Sequence, residues 1–270
     1  MLRVYLRQVY GFTYRQTHNI ARSPIGIFEI VVWPLASLFS IGFLGSFVDV
    51  SASTGISFVT FILIGQCGWS FSYVVQQALS YGLMHSMWSG TLIDMMASPA
   101  DENQFIIGNA LAGVIKGIVV LVVMGVCSLI AFNVNIFAGG VFAIFLIIFS
   151  IFLAAVSLGL VVLILIFYFG QEAQVMAWTI TGLSVLFSGV FYPVTILPPL
   201  VRPISYSIPL TYAFIAWREV TLQGASMAVV SFVLLQMVAS SILWLVITWS
   251  VCLYTIKRAR KIGMISQLSD

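Results

Sequence analysis

Charge is what this chain has least of: Asp, Glu, Lys and Arg together make up 7% of its 270 residues. Most of those few lie near the two ends or in one central segment. Phe105–Phe132 holds a single Lys, and Phe137–Phe169 holds no charge at all. With 61% hydrophobic residues and a mean hydropathy of +1.12, the solvent for such a chain is lipid. A spanning helix needs about 20 mostly apolar residues, because no water is present to satisfy its backbone. The sequence therefore reads as an all-α polytopic integral membrane protein.

Other scarcities remove whole classes of function. Cys67, Cys127 and Cys252 fall in three separate apolar runs, without pairing pattern or metal-ligand spacing, and read as buried thiols. His18 and His85 are far apart and lack the companions that zinc requires. No segment reads G-x-x-x-x-G-K-[ST], and no Lys follows a Gly, so the phosphate-cradling loop of an ATPase is missing. Carboxylates do not gather inside the apolar runs as a proton relay demands, and the adjacent Asp101 and Glu102 read as a solvated face. No catalytic constellation is left, so neither an enzyme nor a cofactor held by this chain is expected. Basic residues cluster beside spans, which argues against a nucleic-acid partner. No cleavable signal peptide is expected, since the first apolar run is full length and follows a 27-residue polar-aromatic segment.

Six spans are expected, at about 28–48, 56–82, 106–131, 138–168, 174–193 and 228–255. Arg3, Arg7, Arg15 and Arg22 precede the first, and Lys257, Arg258, Arg260 and Lys261 follow the last. The excess of Lys and Arg puts both ends in the cytoplasm, which an even number of spans permits. The segment 83–105 then faces the cytoplasm, and 194–227 faces outward. Residues 1–27, with Tyr5, Tyr10, Phe12 and Tyr14 among the arginines, suit a helix lying in the interface, against the simpler reading of a positive-inside flank. Residues 257–270 form a cytoplasmic tail.

Within the spans, polar groups stand out. Gln66, Ser70, Tyr73, Gln77 and Ser80 recur every three or four residues along one face of the second span, and Trp69 and Gln76 widen that stripe. The fifth span repeats the pattern weakly with Thr181, Ser184 and Ser188 beside Trp178. Such side chains either glue helices together or line a transport path. Lys116 lies about 11 residues into the third span, roughly 16 Å deep at 1.5 Å per residue. It either pairs with a carboxylate such as Glu29 or Glu172, or snorkels to the cytoplasmic interface. Gly113 and Gly117 flank it as a G-x-x-x-G that permits close helix approach.

Two segments between spans carry more pattern. In HSMWSGTLIDMMASPADENQ, His85–Gln104, the stretch Thr91–Ala97 suits a short amphipathic helix that Pro99 would end, a natural knob for a cytosolic protein's groove. Between Ser188 and Glu219 fall five of the eight prolines: Pro193, Pro198, Pro199, Pro203 and Pro209. That density forbids one continuous helix, yet the segment stays apolar, which suits short broken helices dipping back into the outer leaflet.

The run SGVFYPVTILPP…ISYSIPLTYAFIAWRE resembles the C-terminal signature of the ABC-2 family of transporter permeases, and GTLIDMMASPADENQFIIGNAL resembles that family's cytoplasmic coupling segment. The resemblance covers essentially the whole chain as one transmembrane domain. It implies a permease subunit of an ABC exporter in the plasma (inner) membrane. Its ATP and Mg would be held by a separate cytosolic ATP-binding subunit, and its dimer partner would be a second copy or a homologous permease. By position, Gly90, Thr91, Leu92, Asp94, Met95 and Pro99 would form the coupling helix. Gly189, Pro193, Pro198, Pro209, Leu210 and Arg218 would shape the outward re-entrant pair. Gln66, Trp69, Tyr73 and Gln77, with Ser184 and Ser188, become candidates for the substrate path. The implied cargo is hydrophobic or amphipathic: a drug, a lipid or a lipid-linked glycan. In Tyr14–Gly26, YRQTHNIARSPIG, the YRQT resembles polysaccharide exporters, whereas the R-S-P is more similar to the drug- and lipid-exporting branches. A passive channel or scaffold subunit and a membrane-embedded lipid-processing enzyme are the alternatives.

Overall fold

A backbone surrounded by hydrocarbon must close its hydrogen bonds within its own segment, and this chain does so with helices throughout. In the computed structural model the described residues are 2–22, 24–51, 58–88, 101–170, 173–222, 224 and 227–262. They form nine α-helices and no strand. The elements are α1 (Leu2–Ala21), α2 (Pro24–Ser51), α3 (Phe58–Trp88), α4 (Glu102–Phe132), α5 (Val141–Phe169), α6 (Ala173–Phe187), α7 (Arg202–Ser207), α8 (Pro209–Leu222) and α9 (Met227–Ile262). Five of them, α2, α3, α4, α5 and α9, are long and apolar enough to cross a membrane.

Where these helices begin and end follows from local chemistry. Pro24 opens α2, where its fixed φ suits the first turn and its missing N–H goes unmissed, so the amino-terminal helix ends earlier than residue 27. Asp49, near the end of α2, turns its carboxylate onto the start of α3. It accepts the backbone N–H groups of Phe58 and Val59 at 2.8 and 3.0 Å, which suits a negative charge at a helix N-terminus. The Gln104 side chain accepts the Asp101 backbone N–H at 2.8 Å and fixes the first turn of α4. Asn133 ends α4 in the left-handed region, at φ 55°, with its N–H returned to Leu129. The fifth apolar run stops at Phe187 and not at 193, because Ser188–Pro193 turns through Gly189 at φ +67°, a conformation a side chain resists. At 15 residues, α6 is about 22 Å long, short of the ~30 Å hydrocarbon core.

The organising element is α3, which packs against α2, α4, α5 and α8 and is the most deeply buried of the five long helices. Leu63, Ile64, Cys67, Phe71, Val75 and Leu79 are all enclosed. On one side the G-x-x-x-G of α4 lies flat against it: Gly113 faces the Val75 backbone, and Gly117 faces the Phe71 ring. On the other side α5 approaches, itself tied to α9 by the 2.8 Å Ser150–Ser241 hydroxyl pair. Indole N–H groups tie separate elements together, one from the core and two from further out. Trp217 donates to Ile136 O at 2.8 Å, Trp244 to Ser207 O at 2.7 Å and Trp249 to Asn103 Oδ1 at 3.0 Å. By contrast α2 and α9 are only lightly covered and present wide apolar faces, with Phe43, Leu44 and Phe47 on α2 and Leu243, Val246 and Ile247 on α9.

Since a side chain at position 113 would press on the α3 backbone, Gly113→Leu should weaken the α3–α4 seam by about 1–3 kcal/mol. Gly11, with nothing near its missing Cβ, should accept Ala without loss. Thermal denaturation followed by size-exclusion chromatography in detergent separates the two: an earlier transition for Gly113→Leu and an unchanged one for Gly11→Ala.

Candidate functional site

The helix that precedes the first long span is held by protein, not only by an interface. Val9, Phe12 and Thr13 of α1 face α4. Thr13 Oγ1 donates to Gly108 O at 3.0 Å, and the Phe12 and Phe105 rings meet edge to face at 5.6 Å. Gln16 Nε2 donates across to Ala78 O of α3 at 2.7 Å, and Arg15 Nη2 reaches Ser86 Oγ at 3.4 Å. The outer side carries a row of rings in which Tyr10 stacks on Tyr14 and His18 lies tilted against Tyr14.

Behind this helix lies a cavity of about 450 Å³. Its floor is the second half of α3, through Tyr73, Gln77, Tyr81 and His85. α1 contributes Phe12, Arg15 and Gln16, and α4 contributes Phe105, Asn109 and Lys116. Opposite them stand Phe28, Ile30, Trp33 and Pro34 of α2 and Trp178 of α6. Trp33 and Trp178 are largely exposed, so the cavity opens beside two aromatic rings. Gln77 Nε2 donates to Tyr73 OH at 2.8 Å, which orients both groups on the wall. Asn109 is buried with its amide turned to Phe105 O at 2.8 Å, and Lys116 is only 8% exposed.

The rest of the polar stripe on α3 has another task. Gln66 is buried, and its Nε2 donates to Ser37 Oγ of α2 at 2.7 Å and to Ser70 Oγ at 3.2 Å. Gln76 Oε1 accepts from Thr181 Oγ1 of α6 at 3.0 Å. These are interhelical polar ties of the kind that fasten membrane helices. Trp69 is half-buried, with its ring 6.4 Å from that of Tyr73.

At the far end of α3 a second cluster surrounds Arg218 on α8. Its guanidinium is buried and lies 3.6 Å from the centre of the Phe61 ring. Nη1 donates to Gly189 O at 2.7 Å, Nη2 to Val190 O and Nε to Phe61 O at 3.4 Å. Gly65 leaves the room in which the Val190 carbonyl and this side chain meet α3. One cation therefore holds the turn after α6, the helix α8 and the end of α3 together through backbone acceptors.

The profile of the ABC-2 type transporter family matches residues 7–222. The chain belongs to that family. It is a multi-pass membrane protein and a permease component of an ABC transporter, the part distinct from the ATPase. No curated protein matches the chain.

Placed on this ABC-2 permease, the sequence expectations separate. Tyr73 and Gln77 lie together on the cavity wall, whereas Gln66 is engaged between α2 and α3. Ser184 donates to Ile180 O of its own helix at 2.8 Å, and Ser188 is buried at the turn, so neither joins Tyr73 and Gln77 on the wall. Gly189 and Arg218 meet directly. Pro193 precedes the 3-10 turn Val194–Ile196, the Pro198 carbonyl accepts the Val201 N–H, and Pro209 opens α8. Gly90, Thr91, Leu92, Asp94, Met95 and Pro99 lie outside the described residues, as do the side chains of Glu29 and Glu172. Sequence reading missed Gln16 and Asn109 as cavity residues. Asn109 and Lys116 are seven apart and so share a helix face, a spacing that could have drawn attention to the first.

Arg218→Met should strip three backbone carbonyls of their donor and cost about 2–3 kcal/mol. Arg218→Lys restores charge but not the forked geometry and should recover only part of it. Thermal unfolding of detergent-purified protein should rank wild type above Lys above Met; equal transition temperatures would remove Arg218 from this role.

Proposed function

We propose that this chain is the permease of an ABC exporter and forms the path for a hydrophobic or amphipathic substrate, with a separate cytosolic ATP-binding subunit supplying the energy. The observation that carries the reading is the family match over residues 7–222 on a bundle whose first four helices and α6 enclose an aromatic-rimmed cavity. In this arrangement α6 serves as the fifth of six spans and α9 as the sixth, both termini are cytoplasmic, and α7 and α8 form an outward re-entrant cap. The exposed apolar faces of α2 and α9 suit lipid or a second permease subunit. The ATP-binding subunit docks on the segment 89–100 and on α1, and its motion reaches the cavity through the bonds from α1 to Ala78 and Gly108. A substrate enters beside Trp33 and Trp178 and meets Tyr73 and Gln77 on the wall.

Pull-down from native membrane in mild detergent, read by mass spectrometry, should recover a stoichiometric protein with a Walker motif. Recovery of the chain alone, in detergent that preserves comparable complexes, would favour a channel or scaffold. In the assembled complex Asp94→Lys should uncouple ATP hydrolysis from transport, or release the ATPase, while the permease stays monodisperse. Gln77→Leu should change substrate preference with little change in thermal stability, whereas Gln66→Leu should do the reverse. Identical behaviour of the two variants would merge the roles assigned to them.

A further inference from the structure

The cavity has two chemically different walls. Among the described side chains, the wall from α2 and α6 is apolar, whereas the wall from α1, α3 and α4 carries nearly all the hydrogen-bonding groups. Two of those are cations, and of the two Lys116 is already engaged, which leaves the Arg15 guanidinium to be considered. Arg15 is half-buried and makes one long hydrogen bond, to Ser86 Oγ at 3.4 Å. A guanidinium carries five N–H donors in a fixed fork, so four remain available. That fork matches an oxyanion that accepts two bonds at once, a carboxylate or a phosphate. In a partly dry cavity the attraction exceeds its value at a wet surface, and the repulsion felt by a cationic head grows equally. Gln16 adds a second requirement. Its Nε2 is engaged by Ala78, while its Oε1 is buried without a partner. A head group that also presents an O–H would answer that acceptor.

We propose that this cavity selects amphiphiles with an anionic, phosphate-type head group. Arg15 engages the head, and the tail lies along the α2 and α6 wall between Trp33 and Trp178. The proposal rests on the export reading and narrows its substrate class, since a neutral drug and a cationic one would leave the same fork unanswered.

The test uses Gln77→Cys in a chain whose Cys67, Cys127 and Cys252 are changed to Ala, reconstituted in phosphatidylcholine nanodiscs. The rate of maleimide labelling at position 77 is measured against rising hexadecyl phosphate or hexadecyltrimethylammonium. The phosphate should protect at a concentration about tenfold lower than the ammonium. Adding Arg15→Gln should remove that advantage, and Arg15→Lys should keep part of it. Equal protection by the two probes, or an advantage that survives Arg15→Gln, would overturn the anion preference and leave an amphiphile site in place. A reactive thiol that neither probe protects would overturn both the preference and the export reading of this cavity.

Discussion

The structure depends on how one helix satisfies its polar side chains where water is absent. α3 is enclosed on several sides, yet it carries two buried glutamines and several buried hydroxyls along one stripe. Each polar group left unanswered in such a place is costly, and neighbouring helices answer several of them, although Gln76 Nε2 and Ser72 Oγ have no hydrogen-bond partner among the described residues. Ser37 brings α2 to Gln66, and Thr181 brings α6 to Gln76. The glycines of α4 then let a second helix lie close along the same element without opposing its polar groups.

With those positions committed to assembly, the groups that line the cavity become distinctive. Tyr73 and Gln77 satisfy one another and turn toward an open space, and α1 closes that space from the side. A helix that reads as interfacial in sequence thus takes part in the cavity. Its bonds to Ala78 and Gly108 give any force on α1 a direct route to the α3 and α4 wall. At the opposite end Arg218 locks the turn after α6 to α3, so the two ends of α3 differ in character: one is open and lined with mixed chemistry, the other clamped by a single cation.

Much of this was legible beforehand. Apolar runs located the five long helices, with ends that differ by up to seven residues, since length and hydropathy are what a bilayer reads. The proline density after α6 foretold short broken helices, and α7 and α8 are those. The end of α6 was misplaced because Val190 and Phe191 continue the apolar composition through a turn that Gly189 alone dictates. The stripe was visible, but its division was not: period alone places Gln66, Gln76 and Gln77 on similar terms, and only the partner helix decides which are consumed. Gln16 escaped notice because its partner, Ala78 O, is a backbone atom that no side-chain pattern announces.

That division of the stripe is the central claim, and a cysteine scan along α3 tests it most directly. In a background lacking Cys67, Cys127 and Cys252, single cysteines at positions 66, 70, 73, 76, 77, 80 and 81 are exposed to a small hydrophilic maleimide in nanodiscs. Rapid labelling is expected at 73, 77 and 81, and protection at 66, 70, 76 and 80. Labelling along the whole stripe would mean a continuous aqueous path in place of a cavity bounded by helix-binding groups, and the division would be wrong.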